Sequence, residues 1–180
     1  MRKIEDFDKV QEVEERQRLE EGPKVCVITK AEDVQEKEYL KIEFDIIEDG
    51  PFKGMFARIS DNYGEWPSQG RMYRSYKTPA LPYFKRFIVA VEKSNDGYTF
   101  DFNEQSLVGK KFVANFGIEE YDNGTEIVET IKVIESRSLQ SLKEGKVQPP
   151  AAKRLPQSEH DKYKGNANAL PDVGDGDIPF

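Results

Sequence analysis

Two short stretches hold the residues whose types and spacing could do chemistry. In the first, Tyr63, Trp66, Tyr73 and Tyr76 interleave with Arg71, Arg74 and Lys77. Rings alternating with cations suit an unpaired nucleic-acid strand, because base faces stack on aromatic side chains while Lys and Arg follow the phosphates. A stacked base contributes ~1–3 kcal/mol whatever its identity, so this pattern does not read sequence. Lys53 and Arg58, on what reads as the preceding strand, would lengthen the cationic track. The competing reading turns some of these rings inward. Trp66, the single tryptophan, fits a core or a surface equally well. Tyr73, Arg74 and Tyr76 share no alternating or helical spacing that would bury all three, which favours exposure.

The second stretch is the C-terminus, where Asp172, Asp175 and Asp177 precede Ile178, Pro179 and Phe180. Such an end can seat its last ring in an apolar pocket of another protein while basic residues there take the carboxylates. Pro179 limits the conformational freedom lost on docking. A plain solubilising acidic tail would explain the charge but not the terminal Ile-Pro-Phe.

Other chemistry is poorly supplied. Cys26 stands alone in the apolar run Val25–Ile28, as a buried thiol would, and the single histidine, His160, lies in a polar stretch. Zinc needs about four ligands at set spacing, and no such set, phosphate loop or nucleophile–His pair is present. Glu119, Glu120 and Asp122 flank an Asn-Gly turn and read as solvated hairpin residues. We therefore expect no catalysis, no metal and no cofactor.

The net charge of -7 argues against an anionic partner, but its distribution reverses that impression. Residues 51–93 hold 8 basic and 3 acidic side chains, whereas residues 1–50 hold 9 basic and 16 acidic ones. A local basic stretch matters more to phosphate binding than the total. Mean hydropathy is -0.75, polar enough that part of the chain should not fold. No apolar run approaches the ~20 residues that span a bilayer, and the first residues do not resemble a secretion signal. A cytoplasmic location is expected.

The elements that would position these residues follow from periodicity. Residues 1–21 are charged, with Phe7, Val10 and Val13 spaced as in a short helix or an arm. Val25 to Ala31 reads as a strand. Leu40, Ile42, Phe44 and Ile46 alternate with polar residues, which predicts a strand with one buried face. Gly54 to Ser60 is read as a third strand, and 61–77 as a long connection. Thr78-Pro79 opens a helix whose stripe is Phe84, Phe87, Ile88 and Val91. Two further strands, with Phe112, Ala114, Phe116 and Ile118 inward on the first, meet at the Asn123-Gly124 turn. The order is mainly β: five strands with one helix between the third and fourth, as in an OB-fold-like five-stranded β-barrel, although another α+β barrel would also fit. The domain boundaries are then an arm at 1–21, the barrel at 22–142, a disordered linker at 143–171 and a tip at 172–180.

The ending Asp175-Gly-Asp-Ile-Pro-Phe180 resembles the acidic tip of bacterial single-stranded DNA-binding proteins, with Gly176 replacing one of the usual acids. The body, through Lys37-Glu-Tyr-Leu-Lys-Ile-Glu-Phe-Asp-Ile-Ile-Glu-Asp-Gly-Pro-Phe-Lys-Gly54, resembles a phage- and prophage-encoded family of such proteins from Gram-positive hosts. The resemblance implies coating of single-stranded DNA in replication or recombination and docking of partner enzymes onto the tip. It leaves both a monomer and a homo-oligomer open. The alternative is a non-catalytic adaptor, or an inhibitor of a host factor, that uses the tip without binding DNA.

Overall fold

The computed structural model describes residues 18–164, so the first 17 residues and the tip lie outside the described residues. Five strands form one antiparallel sheet in the order β3-β2-β1-β4-β5: β1 is Gly22–Val34, β2 Tyr39–Ile46, β3 Arg71–Ser75, β4 Lys111–Asp122 and β5 Ile127–Arg137. Helix α1 (Met55–Tyr63) precedes β3, and α2 (Leu81–Glu92) joins β3 to β4. Two short helices follow the sheet, α3 (Leu139–Lys143) and α4 (Gln157–Lys164). No helix among the described residues is long and apolar enough to cross a membrane.

The alternation in β2 behaves as the sequence suggests. Leu40, Ile42, Phe44 and Ile46 are all buried and share one cluster with Ile28 of β1, Met72 of β3, and Phe112 and Phe116 of β4. Phe44 is the hub, edge-on to Phe56 and Phe112 at centroid distances of 5.8 and 5.4 Å. Helix α2 adds Phe87, Ile88 and Val91 from its predicted stripe. Ile131 and Val133 of β5 pack against the same cluster, so all five strands face one core. The sheet is not closed into a barrel, since β3 and β5 remain its two edges. One side chain spans them: Arg74 of β3 donates to Ser136 Oγ of β5 at 3.0 Å.

The predicted third strand is a helix. Residues 54–60 satisfy period two through Met55, Ala57 and Ile59, but so short a run also satisfies a helical spacing, and tertiary contacts decide it. Gly54 adopts the left-handed region (φ 66°), which starts the turn. The buried Asp45 carboxylate on β2 then accepts from the backbone N–H of Phe56 at 3.0 Å and of Ala57 at 3.1 Å. It thus caps the helix from a neighbouring strand, taking first-turn donors that have no partner within the helix. Phe56 is buried as a result. The true third strand, β3, has one core residue, Met72, aligned with Ile42 of β2. A single apolar position carries no period, so the sequence alone presents this strand as part of a loop.

The linker expectation also needs correction. From Val147, which is buried, the chain runs as a strap across β4. Asn115 Nδ2 donates to the Gln148 carbonyl at 2.8 Å. Pro150 sits so close to Gly117 that a Cβ there would come within 2.6 Å of its ring. The pairing of β1 with β4 ends at Phe116, and Lys153 takes the edge left open beyond it: its N–H donates to Ile118 O at 2.8 Å, and its carbonyl accepts from Glu120 N at 2.9 Å. Residues 112–117 are therefore buried on both faces. The expected unstructured linker begins 143–164 as ordered chain, and its remainder, 165–171, lies outside the described residues.

The acids of the β4–β5 hairpin fasten this strap, so they are not merely solvated. Glu120 is buried and accepts from Arg154 at 2.6 Å, Leu155 N at 2.9 Å and His160 Nε2 at 2.9 Å. Glu119 pairs with Lys153 at 2.6 Å, and Asp122 accepts from the Tyr163 hydroxyl at 2.6 Å. The Leu155 N–H, with help from Arg154 and His160, holds the Glu120 carboxyl below its usual range, against the opposing effect of desolvation. A carboxylate whose pKa is depressed by folding stabilises the folded form above its unfolded value and loses that contribution as pH falls through the folded value. Backbone amides of 153–163 should therefore lose protection on acidification below the ordinary carboxylate range, before the core amides of β2 do. Equal protection in both regions down to acid unfolding would contradict the latch.

Candidate nucleic-acid interface

Alternation in β2 that buries Leu40 and Ile42 turns Tyr39, Lys41 and Glu43 outward. Pairing aligns Tyr39 with Ser75, Lys41 with Tyr73 and Glu43 with Arg71 on β3, and aligns Glu32 of β1 with Lys41 and Lys30 with Glu43. The outer face of β1–β2–β3 is thus a patch of two rings, three cations and two carboxylates. Tyr73 is 52% exposed, and Tyr39 meets it edge-on at a centroid distance of 5.3 Å. Arg71 contacts Glu43 through Nη2 at 3.0 Å and Nε at 3.2 Å. Glu32 lies 3.4 Å from Lys30 and 3.8 Å from Lys41. Lys41 and Tyr73 have Cα positions facing each other across a strand pair, so one cation lies beside an exposed ring.

The nine residues expected to bind DNA do not form one surface. Arg71 and Tyr73 reach the patch just described. Arg74, next in β3, points to the opposite face: its guanidinium lies 5.8 Å from the centre of the Phe87 ring, and it bridges to Ser136. Burial lowers its pKa to about 10, so it is still charged at neutral pH. Tyr76 donates its hydroxyl to Asp33 at 2.8 Å and packs edge-on to Phe84. Trp66 is half-buried against the core, its Nε1–H donating to the Gly70 carbonyl at 2.8 Å. Lys53 is not on a strand; it lies in the turn before α1 and pairs with Asp49 at 2.7 Å. Arg58 is on α1 and donates to the carbonyls of Lys53 and Pro51. Tyr63, at the end of α1, is 59% exposed and shares a separate groove with Arg58, Ile118 and Ile131. Lys77 is exposed beyond the end of β3.

Tyr39 and Lys41 were missed. Their signal was present, since a strand with Leu40 and Ile42 inside must present them outside. What the sequence lacks is their neighbour, because it places the third strand at 54–60 and not at Arg71–Ser75. The tip residues Asp172, Asp175, Asp177, Ile178, Pro179 and Phe180 lie outside the described residues.

Among the described residues, no group of three His, Cys, Asp or Glu side chains could hold a metal ion. Cys26 is fully buried, and burial pushes its thiol well above the usual range, away from the reactive thiolate. Neither a protein-family model nor a curated protein sequence matches this chain.

Proposed function

We propose that the chain binds single-stranded DNA on the outer face of β2 and β3 and is an OB-fold-like, SSB-type protein. The observation that carries this is the contact of the exposed Tyr73 with the half-buried Tyr39, flanked by Lys41 and Arg71 on a two-strand platform. Rings held on strands lose little freedom when a base stacks on them, and the adjacent cations can follow the phosphates. The strand order β3-β2-β1-β4-β5 with a helix between β3 and β4 supports the OB reading, as does Arg74 drawing the two edge strands together. OB-folds use the face of their second and third strands for this purpose. The tip would recruit replication or recombination enzymes of a phage or its host.

Charge sets the form of the binding. The three cations of the patch are already beside two carboxylates, so few phosphates can be neutralised. For a single strand, log K falls by about 0.7 per decade of salt for each phosphate neutralised; two or three contacts give a shallow slope. Titrating fluorescein-labelled oligo-dT with the full-length protein at two salt concentrations, against duplex of equal length, tests this. Preference for the single strand with a shallow slope is the expected result. Equal binding of duplex would contradict it. The adaptor reading draws on the inward Arg74 and the half-buried Trp66 and Tyr76, and absence of DNA binding at low salt would put it first.

A further inference from the structure

A second surface carries chemistry that DNA binding does not use. A groove of about 1140 Å³ opens between α2 and the end of β1, floored by Leu40, Ile88 and Val89. Four rings run along it, Tyr76, Phe84, Phe100 and Phe102, with successive centroid distances of 6.1, 6.5 and 5.5 Å. Phe102 is 87% exposed and adopts a left-handed backbone (φ 63°), a conformation that bulky residues rarely take. Leu81 adds a side chain that is 45% exposed at the same groove. Contiguous exposed apolar surface of this kind marks an interaction site more often than isolated apolar residues do.

Charge decides what fits. Asp33, Glu92 and Glu104 line the groove against one cation, Lys85, and none of the three acids forms an ion pair among the described residues. Carboxylates around an apolar floor repel phosphates, and they equally repel the chain's own acidic tip. We propose that this groove is a docking site for a partner protein's apolar segment flanked by Lys or Arg, its apolar residues on the aromatic row and its cations toward the three carboxylates. This is helix-in-groove recognition with the charge placed on the groove rim. The inference does not depend on DNA binding, because no residue of the groove belongs to the Tyr39–Tyr73 patch.

The test uses the full-length protein and two labelled 14-residue amphipathic peptides. Both carry Leu at i, i+3, i+4 and i+7; one has Lys and the other Glu at the remaining positions. Fluorescence anisotropy should show saturable binding of the Lys peptide, about tenfold tighter than the Glu peptide. Phe102→Ser should weaken it about fivefold or more while leaving thermal stability intact. Glu104→Lys should narrow the preference between the peptides. Four results would each overturn the proposal. The Lys peptide could fail to saturate, or bind wild type and Phe102→Ser alike, which would mean charge adsorption only. The Glu peptide could bind better, which would assign the groove to acidic tails. Sedimentation could show that Phe102→Ser dissolves a dimer, which would assign it to a second copy of the chain.

Discussion

Replacing Tyr73 with Ala should weaken binding of single-stranded DNA by about 5- to 150-fold, the equivalent of one lost stacking contact at ~1–3 kcal/mol. Tyr73 is half-exposed on the outer face of β3, and its ring touches Tyr39 rather than the core. Its loss should therefore leave the fold standing. Tyr39→Ala should act in the same direction, and the double variant should lose less than the sum of the singles because the rings are in contact. The neighbouring Arg74 supplies the control. It follows Tyr73 directly but points across the core side to Phe87 and Ser136. Arg74→Ala should lower stability, and the protein that remains folded should bind DNA nearly as before. Anisotropy titration with oligo-dT, paired with urea denaturation, separates the two effects. An Arg74 variant that binds worse than the Tyr73 variant at unchanged stability would place the interface elsewhere.

Asp45→Ala should be the most damaging single polar substitution for the fold, at a cost of about 2–4 kcal/mol, combining a lost helix cap with buried donors left without acceptors. Asp45 Oδ1 also accepts from Ile46 N at 2.9 Å, so three backbone N–H groups depend on this one carboxylate. Asp45→Asn should cost less, since the amide oxygen can still take two of them while its NH2 faces a third donor. The urea midpoint should fall with an unchanged slope, and amides of 56–63 should lose protection before those of β4. A loss under about 0.5 kcal/mol would show that α1 forms without its cap. The consequence extends to the candidate site, because α1 and the Ser68–Gly70 turn lead the chain into β3. There Gly70 has no room for a Cβ, which would fall 2.6 Å from the Phe56 ring and 2.8 Å from Trp66 Nε1.

What the sequence made legible tracks how much period each segment carries. Strand β2, with four alternating apolar residues, could be read at once, as could the stripe of α2 and the Asn-Gly hairpin between β4 and β5. Strand β3 could not, because Met72 is its one core position and its partner is fixed only by register with Ile42. Helix α1 is not legible locally because its N-terminus is held by a side chain 11 residues earlier in the chain. The strap is illegible because Pro-, Gly- and Asn-rich sequence with few core formers looks like linker until Gly117 and Glu120 are seen to receive it. The candidate site suffered from the first of these errors: with β3 misplaced, the outward residues of β2 had no neighbours. The interleaving of rings and cations points to Arg71 and Tyr73 as candidates, whereas Tyr39 and Lys41 need the pairing.

The most direct measurement is an amide and side-chain NMR titration of the full-length protein with a dT oligonucleotide. If the β2–β3 face is the interface, the largest shifts should fall on Tyr39, Lys41, Arg71 and Tyr73, with Phe84, Phe100 and Phe102 of the α2 groove unmoved. Shifts centred on the α2 groove or on the α1 groove around Arg58 and Tyr63, or none anywhere at low salt, would contradict it.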